Sequence, residues 1–249
     1  MDTVIELREA DIPRVISASS RPVLEHVNWP VQRGEFWVVG ALPAAGKTDL
    51  LCAAAGLVRP IRGTQCLFGR DLSEMSEDEL VQTRLRIAMV FTGGRLFNSL
   101  TVAQNIALPL SYHKQYDEQE RLARVTETLE KTGLSALQDR RPTQIARGLH
   151  QRVGLARALA LEPEVLIVDN PLSGIDPRQG RWWIDFLCKA KKTLTVIVAA
   201  DDLRAWKDVG DQFAVVRERK LEMIGGRDQL RASDDPIVRE LLRPAFEEA

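Results

Sequence analysis

The sequence predicts an α/β protein in which a mainly parallel sheet carries an inserted helical lobe. Apolar runs of strand length recur at residues 36–39, 87–91, 165–168 and 194–198. Between residues 98 and 161 helical periodicity replaces the strand pattern. The chain has 249 residues, of which 45% are hydrophobic and 28% charged, so it can bury a sizeable core. Strand–helix alternation interrupted by a purely helical stretch is typical of this class.

The chain begins with two predicted strands, at residues 4–7 and 23–31, which a polar turn separates. The strand at 36–39 follows and leads into a short loop that ends in Gly46-Lys47-Thr48. From Lys47 a helix is predicted to run to about residue 57.

The helical stretch contains at least two amphipathic helices. Leu122, Val125 and Leu129 fall on one predicted helix face, and Gly133 lies where that helix would end. A second helix, which ends before Pro163, is marked by Leu149, Val153, Ala156 and Ala160. A further helix over residues 181–191 separates the last two apolar strands.

Charge and cysteine content exclude several classes of function. The chain has 34 Lys+Arg against 35 Asp+Glu, so we expect no nucleic-acid partner. Its three cysteines fit neither a disulfide framework nor a metal motif, which favours a reducing compartment. No apolar segment approaches the ~18 residues needed to span a bilayer, and the N-terminus lacks the pattern of a signal peptide. A cytoplasmic chain is expected, with any membrane role supplied by a partner.

The Gly46-Lys47-Thr48 segment follows a strand and opens a helix, as the end of a phosphate-binding loop does. Backbone N–H groups and the helix N-terminus attract phosphate there. Lys47 would reach the β- and γ-phosphates, and the Thr48 hydroxyl would hold Mg²⁺. A lone Gly-Lys-Thr could equally be an ordinary helix start. The apolar strand that ends in Asp169 favours the phosphate loop, because such a carboxylate holds Mg²⁺ through water.

The loop departs from the full phosphate-loop pattern. Ala41 stands where the first glycine is expected, and Gly40 lies one residue too early. Ala44 and Ala45 occupy the middle of the loop. Glycine permits positive φ and a close backbone approach, so these methyl groups crowd the place where the backbone must curl around phosphate.

Four segments in this order resemble the nucleotide-binding subunit of an ABC transporter: residues 46–48, 151–159, 165–169 and 171–177. The resemblance implies a P-loop NTPase (ABC ATPase) fold with an N-terminal antiparallel β subdomain and an inserted helical subdomain. It also implies a single domain, with the boundaries that follow. The core would cover about 1–92 and 160–226, the helical subdomain 93–159 and the tail 227–249.

Two further stretches, residues 96–106 and 230–240, are similar to the phospholipid-trafficking (Mla-type) branch. The resemblance implies ATP and Mg²⁺ as cofactors and a membrane permease as partner, bound at the inner face of the membrane. The permease would dock around residues 95–108. Leu96, Phe97 and Leu100 could either line that docking groove or belong to the core of the helical lobe, and the core is favoured. ABC subunits work as head-to-tail dimers, so a homodimer or a heterodimer is expected.

Against this resemblance, two catalytic positions have changed. Asn170 replaces the glutamate that polarises the attacking water, and general-base catalysis is worth roughly 10²–10⁴-fold. Asp201 stands at the position of the family's switch histidine, where a carboxylate repels phosphate. No histidine follows His150, so no shift of the alignment restores one.

The other positions that contact nucleotide in the family have changed too. Thr92 replaces the family's glutamine at the end of the apolar strand 87–91, and Ala146 replaces the signature serine two residues before Gly148. No aromatic residue stands in 8–20 to stack on adenine. The complete set of predicted nucleotide contacts is Gly40, Ala44, Ala45, Gly46, Lys47, Thr48, Asp49, Thr92, Ala146, Gly148 and Asp169.

Three hypotheses remain open from the sequence. The first is a degenerate nucleotide-binding subunit of a lipid transporter, with weak or absent hydrolysis. The second is an active ATPase subunit of the same kind of transporter, with Asp201 or another carboxylate as the base. The third is a scaffold that uses the fold outside transport.

Overall fold

The computed structural model describes residues 2–15, 21–113 and 116–243. Within them, ten strands form two sheets. The strands are β1 (Thr3–Ile12), β2 (Leu24–Gln32), β3 (Phe36–Ala41), β4 (Arg62–Leu67), β5 (Arg70–Asp71), β6 (Ile87–Val90), β7 (Val165–Asp169), β8 (Thr195–Ala200), β9 (Gln212–Arg217) and β10 (Lys220–Gly225). The smaller sheet has the order β2-β1-β4-β5 and is antiparallel throughout, which confirms the expected N-terminal antiparallel unit.

The larger sheet has the order β10-β9-β3-β8-β7-β6. Its strands are parallel except for β10, which runs antiparallel to β9 at one edge. The carboxyl ends of parallel strands meet at one edge of a sheet, where ligands of open α/β folds bind. The register sets Gly40 of β3 opposite Ala200 of β8, and Asp169 of β7 opposite Ala199. The loops that follow β3, β7 and β8 are therefore neighbours.

Eight α-helices are described in the same part of the chain. They are α1 (Lys47–Ala54), α2 (Glu77–Leu85), α3 (Val102–Tyr112), α4 (Glu118–Lys131), α5 (His150–Leu159), α6 (Pro177–Ala190), α7 (Arg227–Ala232) and α8 (Pro236–Leu242). Capping boxes at Ser76, Thr101 and Asp117 fix the starts of α2, α3 and α4, because each side chain accepts from the backbone N–H three residues later. The predicted first helix was too long, since α1 ends at Ala54.

The helical lobe consists of α3, α4 and α5 around its own apolar cluster. The buried members of this cluster are Val102, Ile106, Leu110, Val125, Leu129, Leu134, Val153, Ala156 and Ala160. The inserted helical unit is thus confirmed as a structural element, while the exact domain boundaries stay predictions. Leu122 was wrongly placed on the buried face: it is 68% exposed, because α4 packs through its later turns.

The described part of the tail packs on the larger sheet. Val238 and Leu241 of α8 are buried in the cluster that also holds β3 and β9 residues. Asp235 caps α8 by accepting from the N–H groups of Ile237 and Val238. Residues 244–249 of the tail lie outside the described residues. Among the described residues, no helix has the length and apolar character that crossing a membrane requires.

Candidate functional site

The loop between β3 and α1 keeps the curled backbone of a phosphate loop despite its alanines. Gly46 has φ 101° and caps α1 without a side-chain hydrogen bond, so the first N–H groups of the helix lack a side-chain cap. A Cβ on Gly46 would also lie 2.9 Å from Val23 Cγ2. Ala44 has φ 63°, a left-handed conformation that costs an L-residue roughly 1–2 kcal/mol. Ala44 therefore adopts a left-handed backbone conformation that glycine favours, although it carries a methyl group.

All three donors of the Lys47 ammonium are engaged. Its Nζ donates to the carbonyl oxygens of Ala41, at 2.6 Å, and Leu42, at 3.1 Å. The third donor forms a salt bridge with the Asp201 carboxylate. An ammonium group has three donors, and the Lys47 side chain is only 8% exposed. The lysine is thus saturated by acceptors from its own chain.

Thr48 and Asp169 lie together, as the two motifs predict. The Thr48 hydroxyl donates to Asp169 Oδ2 at 2.7 Å. Burial raises the pKa of the Asp169 carboxyl, while the Thr48 hydrogen bond and Lys47 act in the opposite direction. Adjacent hydroxyl and carboxylate oxygens are hard ligands of the kind that Mg²⁺ prefers, so this pair fits the ion.

The backbone at Asp169 is held by two side chains from other elements. Gln151 Nε2 donates to the Asp169 carbonyl at 2.7 Å, and the Thr92 hydroxyl donates to the same oxygen at 3.1 Å. Sequence reasoning included Gln151 in a matching segment but gave it no role. Gln151 is buried on α5, which packs against β6, the neighbour of β7 in the sheet, and this position brings its amide to Asp169.

Asn170 and Asp201 contact each other directly. Asn170 Nδ2 donates to Asp201 Oδ2, while Asp201 Oδ1 faces Lys47. Asn170 has φ 51°, and asparagine adopts this left-handed region more readily than most residues. Since Ala200 is level with Gly40, the register brings Asp201 beside Ala41 and hence beside the lysine. Asn170 and Asp201, the two positions at which the sequence predicts lost catalytic groups, therefore form one hydrogen-bonded unit with Lys47.

A cleft of about 640 Å³ opens beside Lys47, Thr48 and Asp169; Asn170 and Asp201 are not among its lining residues. Besides the predicted contacts, it is lined by Arg14, Val15, Cys52, Phe91, Arg95 and Arg157, none of which sequence reasoning singled out as contacts. The predicted contact Asp49 accepts from the Val15 N–H at 2.7 Å, so its carboxylate holds the N-terminal segment. Burial raises the pKa of the Cys52 thiol to about 11.

Other predicted contacts lie away from the cleft. Gly40 belongs to β3, where a Cβ would lie 2.9 Å from Leu241 Cδ1, so its lack of a side chain serves packing. Ala45 is half-buried and packs against the main core. Ala146 and Gly148 are not among the cleft-lining residues; Gly148 instead faces Ile175, whose methyl would lie 3.7 Å from a Cβ.

Comparison with known proteins gives matches over most of the chain. The model of the ABC transporter family matches residues 24–173. The probable ribonucleotide transport ATP-binding protein mkl of Mycobacterium leprae is 32% identical over 228 residues, or 91% of this chain. The chain spans 66% of the length of that relative. The methionine import ATP-binding protein MetN of Bifidobacterium longum is also 32% identical, over 90% of this chain and 56% of the relative.

The intermembrane phospholipid transport system ATP-binding protein MlaF of Escherichia coli K12 is 28% identical over 241 residues, which are 96% of this chain and 88% of MlaF. Among solved structures, the dimeric ATP-binding cassette MJ0796 in a post-hydrolysis state with ADP and Pi has a TM-score of 0.79 at 25% identity, covering 89% of this chain and 99% of its own. The cbiO1 protein of Clostridium perfringens has a TM-score of 0.80 at 24% identity over 97% of this chain and 95% of its own, a likeness of fold. The chain therefore belongs to the ABC transporter family and has the fold of its ATP-binding proteins.

Proposed function

We propose that this chain is a degenerate nucleotide-binding subunit of an ABC transporter, which binds nucleotide and couples to a membrane permease with weak or no hydrolysis. The observation that carries the proposal is the contact of Asp201 with both Lys47 and Asn170. This contact occupies the Lys47 ammonium. The residue that follows Asp169 in the sequence is Asn170, which has no basic carboxylate.

The residues that would hold the nucleotide are those that keep their geometry. The N–H groups at the start of α1 and the Thr48 hydroxyl would hold phosphates, joined by Lys47 where a phosphate displaces Asp201, and Thr48 with Asp169 would hold Mg²⁺. When bound, Mg²⁺ supplies charge neutralisation at the phosphates. Asn170 contributes an amide that accepts no proton at neutral pH, so the factor of roughly 10²–10⁴ from general-base catalysis is missing.

An active ATPase with Asp201 as the base is the competing function. The position of this carboxylate in the site favours it, but its two oxygens already face Lys47 and the Asn170 amide. A base must be free to accept the proton of water within hydrogen-bond reach. The geometry therefore favours the degenerate subunit.

A lipid is the cargo class that we propose. The chain corresponds to almost the whole of MlaF, at 88% of its length, whereas it covers 66% of mkl and 56% of MetN. The resemblance of residues 96–106 and 230–240 to the Mla-type branch agrees with this choice.

The permease would dock at a groove of about 540 Å³ between β6 and α3. Large side chains in its lining stand in solvent: Phe97 is 53% and Tyr112 79% exposed. The expectation that Phe97 belongs to the core of the helical lobe was thus wrong, whereas Leu96 does pack against that lobe. Exposed apolar groups around a concavity are typical of interaction sites, which supports the proposal that a permease docks here and holds the chain at the inner face of the membrane.

A head-to-tail dimer is proposed as the working form. Ala146 and Gly148 lie outside the cleft of their own chain, as expected of a loop that completes the site of a second subunit. The subunit that supplies the opposite loop is either a second copy or another ABC protein.

Turnover measurements test the catalytic part of this proposal. ATP hydrolysis by the purified chain, alone and with its permease, should equal that of Lys47→Ala, because the parent lacks a base. Turnover in the parent that Lys47→Ala abolishes would establish the active ATPase instead.

A matched pair of variants tests the docking surface. Phe97→Asp should release the chain from membranes that contain the permease, since it places a charge in the apolar groove. Val81→Asp is the control: it changes a 41% exposed apolar residue of α2 that does not line the groove. Equal release by both variants would contradict the assignment.

A further inference from the structure

Asp201 presents an anion to Lys47 at the place where a terminal phosphate would be bound. In a phosphate loop the lysine reaches the β- and γ-phosphates. Here its third donor is taken by Asp201, and the other two are taken by backbone carbonyls of the loop itself. A γ-phosphate would have to displace a carboxylate from this lysine, not water.

The carboxylate is held in place from both sides. Its second oxygen accepts from Asn170, whose own N–H donates to the carbonyl of Ala199 at 2.9 Å. The segment that follows is fixed to the tail, because the Leu203 N–H donates to the Leu241 carbonyl at 2.9 Å. Asp201 is thus anchored by β8, by the loop after β7 and by α8.

The charges around Lys47 indicate how Asp201 changes the binding of a phosphate group. Lys47 forms a salt bridge with Asp201 and also attracts the Asp169 carboxylate, which Asp201 repels. Mg²⁺ at Thr48 and Asp169 would offset the Asp169 charge, whereas the Asp201 charge is paired with Lys47. Each negative group added beside Asp201 is therefore repelled.

We propose that Asp201 is a specificity-determining residue that makes the cleft prefer nucleoside diphosphates to triphosphates. The inference rests on the proposed nucleotide binding and deepens it. In a phosphate loop the backbone N–H groups cradle the α- and β-phosphates, so a diphosphate keeps the donors at the start of α1 although Asp201 occupies Lys47. The γ-phosphate depends more on the lysine, and it therefore competes with the Asp201 carboxylate. Two unit charges about 4 Å apart in water repel enough to change affinity by roughly fivefold, and by more where water is partly excluded.

Calorimetric titration of the full chain with ADP and with ATP, each with Mg²⁺, tests the inference. The parent should bind ADP at least about fivefold more tightly than ATP. Asp201→Asn keeps the size of the side chain and removes its charge, so it should strengthen ATP binding by a similar factor and change ADP binding much less. Asp202→Asn is the matched control, because that neighbouring carboxylate pairs with Arg204; it should leave the ratio unchanged.

The outcomes separate the inference from the proposed function. Equal affinities in the parent, or equal changes in both Asp→Asn variants, would overturn the selectivity and leave nucleotide binding intact. No binding of either nucleotide to the parent or to Asp201→Asn would overturn the proposed function as well. Thermal unfolding of each variant without nucleotide shows that it is folded.

Discussion

Asn170→Glu, the substitution that introduces the catalytic carboxylate expected from the family resemblance, should destabilise this chain instead of simply activating it. The Asn170 amide donates to Asp201, so a carboxylate at this position would face another carboxylate at hydrogen-bond distance. Two unit charges about 3 Å apart repel by about 1.4 kcal/mol in water and by about 5.5 kcal/mol at an effective dielectric constant of 20. The Asp201 side chain is 38% exposed and Lys47 lies beside it, so we expect the lower end, about 1–2 kcal/mol.

Thermal and urea unfolding of a matched pair measure this cost. Asn170→Gln carries the same extra methylene and the same disadvantage at φ 51° as Asn170→Glu, but it keeps the amide. The difference between the two variants therefore isolates the charge. A loss of 1 kcal/mol lowers the melting temperature by roughly 2–4 °C in a chain of this size.

Adding Asp201→Asn to each variant completes a double-mutant cycle. The penalty of Asn170→Glu should disappear in the Asp201→Asn background, and ATP turnover should rise only in that double variant, by at most roughly 10²–10⁴-fold. Equal stabilities for Asn170→Glu and Asn170→Gln in the parent background would refute the reasoning. A coupling energy within about 0.5 kcal/mol of zero would do the same.

Three further predictions concern Gly40, Cys52 and Asn105. Gly40→Ala should lower the free energy of urea unfolding by about 1–3 kcal/mol, because its Cβ would lie 2.9 Å from Leu241 Cδ1. Gly180→Ala on α6, whose Cβ would meet one methyl at 3.9 Å, should instead raise the free energy of unfolding by about 0.5–1 kcal/mol. Cys52 should react slowly with iodoacetamide at pH 8 and faster as the pH approaches its pKa of about 11, as followed by mass spectrometry. Asn105→Ala should cost about 2–4 kcal/mol, since this buried amide makes several hydrogen bonds to the loop before α3.

The parallel strands could be predicted because burial on both faces leaves uninterrupted apolar runs. The runs at 165–168 and 194–198 correspond to β7 and β8 almost residue for residue. β4 was missed because its first half is polar and exposed, and β10 because it is an edge strand without a buried face. Leu122 shows the limit of periodicity: it shares the helix face of Val125 but lies where α4 has no covering neighbour.

For the candidate site, sequence reasoning identified the groups but not their contacts. Lys47, Thr48 and Asp169 could be predicted because each motif follows a strand of the same sheet. The salt bridge between Lys47 and Asp201 depends on the register that sets Ala200 opposite Gly40, and no local pattern encodes a pairing across 154 residues. From the sequence, Asp201 was expected to repel phosphate. The structure shows that it also forms a salt bridge with Lys47.

Under the proposed function, two deficits separate this cleft from an ordinary nucleotide site, and they act on different parts of the ligand. Residues 8–15, the described part of the 8–20 segment, offer no aromatic ring, and a stacked base is worth ~1–3 kcal/mol elsewhere. That loss is the same for every adenine nucleotide. The repulsion between Asp201 and phosphate is of similar energy, but it increases with the number of phosphates that approach Lys47. Weak binding alone therefore cannot tell them apart, whereas the ratio of ADP to ATP affinity reports only on the lysine and its internal anion.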